Sequence, residues 1–209
     1  KGDAVATSNF LNITGAIAAS LIFFALNQAA RQSGFTPPLP ALAAEVAGVK
    51  LDDKITLGGK EVVLNGAGIR TRAFFKVYVA SLWLPAKASA LSGVLAKGPR
   101  RVQMNLLRDL SADQLVNALV DGLKDNNSEA ELASVKAQVD QMVATMKAFN
   151  EVKEKDVVAL DFVDGATKIT LNGQAKTSIP GDAFNAALMK VWLGDKPVQA
   201  DLKKAMLGG

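Results

Sequence analysis

The chain contains no histidine and no cysteine. Without an imidazole there is no serine–histidine triad, no histidine general base and no histidine-ligated zinc or haem. Without thiols there are no disulfides, thiolate metal sites or cysteine nucleophiles. Tyrosine occurs once, as Tyr78, and aromatic residues make up only 6% of the chain. Any chemistry therefore runs on Arg, Lys, Ser/Thr, carboxylates, that one phenol or a bound cofactor. Charge of one sign is scarce as well: 24 Lys and Arg against 20 Asp and Glu leave a net charge of +4, with the cations spread among acidic neighbours. This excludes the basic, aromatic-interleaved surface that nucleic-acid binding needs, so no nucleic-acid partner is expected.

What remains is a globular composition, 49% apolar and 21% charged over 209 residues, enough for one ordinary domain with a real core plus an appendage. The appendage is N-terminal. Residues 4 to 30 carry no charge, and "FLNITGAIAASLIFFALNQAA" (Phe10 to Ala30) is long enough for a single transmembrane helix. Asn12, Thr14, Ser20, Asn27 and Gln28 dilute it, and such groups cost less against partner helices than against lipid. A secretory signal cleaved at "ALA" (Ala41 to Ala43) competes with this reading, but "RQSGFTPPLP" puts too much polar, proline-bearing chain before that site. A retained anchor over residues 1–31 is expected, followed by a stiff linker over 32–44 with Pro37, Pro38 and Pro40, then a domain over 45–209.

The domain has an α+β rhythm. "EVAGVKL" and "KITLGGKEVVL" read as short strands with a turn at Gly58 and Gly59, and one long strand is expected from about Arg72 to Leu84, stopped by Pro85. A short helix around Ala88 to Ala96 precedes "RRVQMNLLRD", whose alternation of Val102, Met104 and Leu106 with Arg101, Gln103 and Asn105 is that of a half-buried strand. Ser111 with Gln114, and Ser128 with Glu131, fit capping boxes that open two helices. The first has Leu115, Val116, Leu119, Val120 and Leu123 on one face, the second Leu132, Val135, Val139, Met142, Val143 and Met146, so both are expected on the sheet. "DVVALDFV", "TKITLN" and "AKTSIP" read as strands, and helices over Asp182 to Leu193 and Gln199 to Leu207 close the chain. The order predicts a mostly antiparallel sheet with helices layered on one face.

"LNGAGIRTRAFFKVYVASLWLP" (Leu64 to Pro85) is unusual for placing Arg70, Arg72, Lys76 and Tyr78 in an apolar stretch. If it is extended from Arg70, then Arg70, Arg72, Phe74, Lys76, Tyr78, Ala80 and Leu82 share a face, and Phe75, Val77, Val79, Ser81 and Trp83 share the other. The second face is the one expected under the helices. The first runs from cationic to apolar, as in a cleft that takes an acidic group at one end and a hydrophobic body at the other. The same residues also fit a solvated edge on which Arg70 and Arg72 pair with surface carboxylates. "LNGAG" reads as a tight turn delivering Arg70 rather than a phosphate loop, because no helix follows. Asp161 and Asp164 read as turn and surface residues rather than metal ligands, and Met104, Met142, Met146, Met189 and Met206 as packing. Trp83 and Trp192 either fill the core or rim a cavity.

That stretch, with "RVQMNLLRDLSADQLVNAL" and "IPGDAFNAALMKVWLGDKPVQADLKKAMLG", resembles the bacterial branch of the chalcone isomerase-like family, within the superfamily of chalcone isomerases and fatty-acid-binding proteins, from about Glu45 to Gly208. The resemblance implies an open-faced β-sandwich, a large antiparallel sheet with helices on one side and a lipophilic ligand between them. It places Arg70 at the family's cleft arginine, which steadies an enolate in enzymes and holds a carboxylate in binding members. Tyr78 falls where fatty-acid binders have a tyrosine and plant enzymes a threonine. The enzymes' second tyrosine, asparagine and late serine or threonine are replaced by Asp113, Val120 and Gln199 or their neighbours.

With the arginine kept and the other groups lost, binding is favoured over catalysis. The leading expectation is a non-catalytic, membrane-anchored domain holding a small lipophilic, fatty-acid-like ligand, with Arg70, Tyr78, Arg72, Lys76 and Asn105 as the ligand-binding set. The resemblance to exported relatives implies the bacterial periplasm, while Lys1 and Arg31 on the two sides of the apolar run give no positive-inside bias that fixes its orientation. The alternatives are an accessory subunit of a larger integral-membrane complex, and an intramolecular lyase acting on a chalcone-like enone. No metal or cofactor is expected, and a tetrapyrrole would have to take Tyr78 or a methionine as axial ligand.

Overall fold

The computed structural model describes residues 42–209. The apolar segment Phe10 to Ala30 and its proline linker up to residue 41 lie outside the described residues. Among the described residues no helix is long and apolar enough to cross a membrane.

The chain runs β1 (Leu42–Val46), β2 (Val49–Asp52), β3 (Lys54–Leu57), β4 (Lys60–Arg72), β5 (Phe75–Leu84), α1 (Leu91–Val94), β6 (Arg100–Leu106), β7 (Leu110–Ser111), α2 (Ala112–Asn126), α3 (Glu129–Ser134), α4 (Lys136–Lys147), β8 (Glu151–Val152), β9 (Val157–Val163), β10 (Ala166–Leu171), β11 (Gln174–Pro180), α5 (Asp182–Leu193) and α6 (Ala200–Met206). Seven strands make one antiparallel sheet in the order β11-β10-β9-β6-β5-β4-β3, while β1 with β2 and β7 with β8 form separate pairs. The expected α+β class and helix-covered antiparallel sheet are thus present, with β1 starting inside the segment read as linker.

Both capping boxes form. Ser111 accepts from the Gln114 N–H at 3.2 Å and Ser128 from the Glu131 N–H at 3.2 Å, with the Gln and Glu side chains reaching back to the serine amides. The second helix is not continuous: it breaks at Val135 (φ −117°, ψ 15°) into α3 and α4. Val135 is 2% exposed, so packing holds it in a conformation that the helical periodicity did not anticipate. The most deeply buried helix is α5, with Phe184, Leu188, Met189, Trp192 and Leu193 all inside the core. Helix α2 packs against α5 and α4. Gly122 permits this, since a Cβ there would stand 2.7 Å from Val191 Cγ1.

Two expectations about the Leu64 to Pro85 stretch are corrected. It is a hairpin, not one strand: β4 turns into β5 at Ala73 and Phe74, with Ala73 at φ 54°. Moreover the faces are the reverse of those expected. Ala80, Leu82 and Leu84 lie under the helices in the main core. Val79 and Trp83 lie on the other face, in a smaller core with Leu51, Leu57, Val62, Leu64 and Val163, packed by Val46 and Val49 of the β1–β2 hairpin. Alternation alone says which residues share a face; which face the helices cover depends on where the distant helices land.

"LNGAG" is likewise not a turn but the middle of β4, interrupted by a register shift between Leu64 and Gly66. The bulged residue, Asn65, is buried and fully used: it donates to Ala88 O at 2.9 Å and Met206 O at 2.8 Å and accepts from the Ala88 N–H at 2.8 Å. Past the bulge Gly66 and Gly68 face α6, where a Cβ would stand 2.1 Å from Ala205 O and 2.8 Å from Ala205 Cβ respectively. The glycines therefore let a helix lie directly on the strand that carries Arg70.

Candidate functional site

Arg70 and Tyr78 are direct cross-strand partners on β4 and β5, on the sheet face turned to the helices. The Tyr78 ring packs against the main core, and its hydroxyl accepts from Trp192 Nε1 of α5 at 3.2 Å. Burial pushes the Tyr78 hydroxyl above the usual phenol range; the Trp192 donation and the nearby Arg70 charge pull it part of the way back. At neutral pH it is a neutral donor.

Arg70 is half-buried. Its Nη1 donates to Thr71 O at 2.6 Å and to Gln199 Oε1 at 3.3 Å. Gln199 immediately precedes α6 but does not cap it with its side chain. It straddles β4 instead: its Oε1 also accepts from the Thr71 N–H at 2.8 Å, and its Nε2 donates to Ile69 O at 3.3 Å. Among the described residues no carboxylate forms an ion pair with Arg70.

Tyr78 also forms one wall of an entirely apolar seam between sheet and helices, shared with Met104, Leu106, Leu115, Met142, Met146 and Phe149 among others. The seam holds about 20 Å³, room for one water-sized sphere and not for an acyl chain. Three of its walls are methionines, whose unbranched side chains repack at low cost. What the site combines is a guanidinium without an acidic partner among the described residues, a neutral phenol donor, and a narrow apolar seam walled in part by that phenol.

The other expected ligand residues are elsewhere. Arg72 and Lys76 are exposed at the tip of the β4–β5 hairpin, beyond a register shift that follows Arg70. Asn105 pairs with Val79, on the face away from the helices, and accepts from Gln103 Nε2 at 3.0 Å. These three do not join the Arg70–Tyr78 cluster, because the turn and the strand parity send them to other surfaces. Trp192 and Gln199 do join it. The sequence alone leaves Trp192 open between core and cavity rim and marks Gln199 only as a replacement for a family residue. The signal available was the close succession of a tryptophan, Pro197 and a helix start in "WLGDKPVQAD".

A larger, more open cavity of about 470 Å³ lies at the other end of β6, bordered by Lys60, Lys97, Arg100, Asp164 and Asp182. Its most buried cation is already engaged. Arg100, 4% exposed, donates to Asn185 Oδ1 at 2.7 Å and Ala96 O at 3.3 Å and stacks 4.1 Å from the Phe162 ring centre. Asp161, expected at a turn or on the surface, is instead buried within β9, where it accepts a two-pronged pair from Arg101 at 2.5 and 2.6 Å, because the neighbouring strand β6 sets that arginine beside it. Among the described residues no group of His, Cys, Asp or Glu side chains is arranged to hold a metal ion.

A family model described as chalcone isomerase-like matches residues 43–208. Among solved structures, the crystal structure of an Arabidopsis thaliana fatty-acid binding protein is similar, with a TM-score of 0.59 and 11% sequence identity over 77% of this chain and 92% of that one. At that identity the likeness is one of fold. A comparison with the curated proteins found no match.

Proposed function

Because the chain belongs to the chalcone isomerase-like family, we propose that it is a binding domain and not a catalyst, taking a small lipophilic acid between sheet and helices. The observation that carries this reading is Arg70: a half-buried guanidinium with no acidic partner among the described residues, opposite a phenol whose ring walls an apolar seam. A carboxylate there gains two charge-assisted hydrogen bonds from the guanidinium fork and a third from the neutral Tyr78 hydroxyl. The ligand class is supported by this chemistry and by the fatty-acid binding protein that shares the fold.

An acyl chain requires the seam to widen. Met104, Met142 and Met146 are the side chains suited to give way, and α4, which carries two of them, packs against the edge strand β11. Catalysis is disfavoured because the family's further catalytic positions hold Asp113, Val120 and Gln199, and Gln199 spends its amide on β4. The uncharged residues 4 to 30 support a membrane tether on the sequence alone, and a periplasmic domain rests only on the resemblance to exported relatives.

Lipid extraction of the untreated protein followed by mass spectrometry, and titration with a fluorescent fatty acid, test the reading. An acidic lipid should be recovered, and Arg70→Ala should weaken binding by roughly tenfold or more, with Arg70→Lys intermediate. Recovery of no acid, together with equal titrations for wild type and Arg70→Ala, would overturn it.

A further inference from the structure

The β4–β5 turn is made by the wrong residues for a turn that merely faces water. Tight turns favour Gly, Asn, Asp and Pro, yet this one has Ala73 at φ 54° followed by Phe74, which is 99% exposed, and Phe75, which is 59% exposed. These two are the exposed large hydrophobic side chains among the described residues. Cations surround them. Arg72 and Lys76 flank the pair in the chain and are exposed, and the Arg108 guanidinium stands 4.7 Å from the Phe75 ring centre. None of the three cations is ion-paired among the described residues, and the neighbouring acid, Asp109, is taken by Lys153 at 3.6 Å.

We propose that this hairpin tip docks on an anionic lipid surface, with Phe74 entering the interfacial layer and Arg72, Lys76 and Arg108 lying against headgroup phosphates. An aromatic body with a ring of unpaired cations is the composition that an anionic interface rewards twice, through apolar burial and through surface charge. The shape agrees. A fully exposed side chain at a two-residue turn is a protrusion, whereas a stable protein partner would need a complementary face of some 800 Å². Arg70 and Tyr78 pair on the same two strands just behind the tip, so docking would bring the Arg70 site close to the bilayer. The docking rests on the tip alone and stands or falls separately from the ligand reading, whose test is a titration in solution without vesicles.

The absence of cysteine allows a site-specific probe in the full chain. Phe74→Cys, labelled with an environment-sensitive fluorophore, should shift its emission to the blue and brighten several-fold on addition of phosphatidylcholine vesicles containing phosphatidylglycerol. It should respond little to phosphatidylcholine alone, and high salt should reverse the change. Ala130→Cys, labelled in the same way on exposed α3, should not respond, even if the N-terminal segment brings the protein to the vesicle. Adding Arg72→Glu and Lys76→Glu to the Phe74-labelled chain should weaken the vesicle response by more than ~10-fold, each lost cation alone being worth about fivefold. Unchanged emission at position 74, an equal response to the zwitterionic vesicles, or a blue shift without vesicles that grows with protein concentration would each overturn the proposal, the last in favour of a protein contact.

Discussion

Trp192 donates its indole N–H to the hydroxyl of Tyr78 at 3.2 Å, joining α5 to the middle of the sheet at the inner end of the Arg70 site. Since Tyr78 is the chain's single tyrosine, its ionisation can be read directly from phenolate absorbance. Burial raises its pKa, so the midpoint should lie above the usual value of about 10. The Arg70 charge pulls in the opposite direction, so Arg70→Ala should move the midpoint higher still. The sign for stability follows: below pH ~10 both folded and unfolded phenols are protonated, and above it only the unfolded one ionises. Stability should therefore fall as pH rises past ~10, and less steeply in Tyr78→Phe. A Tyr78 midpoint at or below the ordinary phenol value would contradict the described burial.

Gly66 is where α6 presses closest on β4. A Cβ at this position would stand 2.1 Å from the Ala205 carbonyl oxygen and 2.9 Å from that of Met206. Neither is a side chain that can swing away. Gly66→Ala should cost about 1–3 kcal/mol through forced separation of helix and strand, lowering Tm by several degrees in a calorimetric scan. Because α6 begins beside Gln199, the same variant should also loosen the Gln199 bracket on Arg70. An unchanged Tm would mean that helix and strand are not in such close contact.

Glu131 links the α3 capping box to α5: its carboxylate accepts from Lys190 Nζ at 2.7 Å and from the Ser128 N–H at 2.8 Å. Chiefly through the Lys190 bond, and then the Ser128 amide, its pKa is held down to about 2. A depressed carboxylate stabilises the fold above its unfolded pKa of ~4.3 and loses that contribution as pH falls toward the folded value. Acid unfolding of Glu131→Gln should accordingly be less steep between about pH 4 and 2 than that of wild type. A carboxyl titration by NMR with a midpoint near 4 would remove the basis for this.

Asn185 is 1% exposed, accepts from Arg100 Nε at 2.7 Å and donates to Thr167 Oγ1 at 3.2 Å. Asn185→Ala leaves the Arg100 Nε–H buried without its acceptor, at a cost of roughly 1–3 kcal/mol. Desolvation already lowers the Arg100 pKa, which marks how little water reaches it. In a double-mutant cycle with Arg100→Met, measured by denaturant unfolding, the two substitutions should cost clearly less together than the sum of their separate effects. Simple additivity would show that the pair is not coupled.

Local signals in the chain were sufficient wherever a short segment settles its own conformation. Ser111 with Gln114 and Ser128 with Glu131 mark helix starts because the bonds they make span three residues. Gly58 and Gly59 mark a hairpin because both adopt positive φ, which glycine permits. The turn at Ala73 and Phe74 carries no such residue, and so it read as continuous strand. Arg70 and Tyr78 can be named from the sequence, but strand alternation also groups Arg72 and Lys76 with them, and the turn and a register shift interrupt that alternation.

By itself, then, the amino-acid order determined the chemistry left available, the alternation of strands and helices, and the guanidinium and phenol worth watching, since composition, caps and periodicity are properties of neighbouring residues. Only the tertiary structure decided that the Arg70 face lies under the helices, that Gly66 and Gly68 are contact points and not a turn, and that Trp192 and Gln199 complete the cluster. Those outcomes depend on pairs separated by more than a hundred residues, such as Trp192 with Tyr78 and Gln199 with Thr71, and no local pattern records which distant surface will cover a strand.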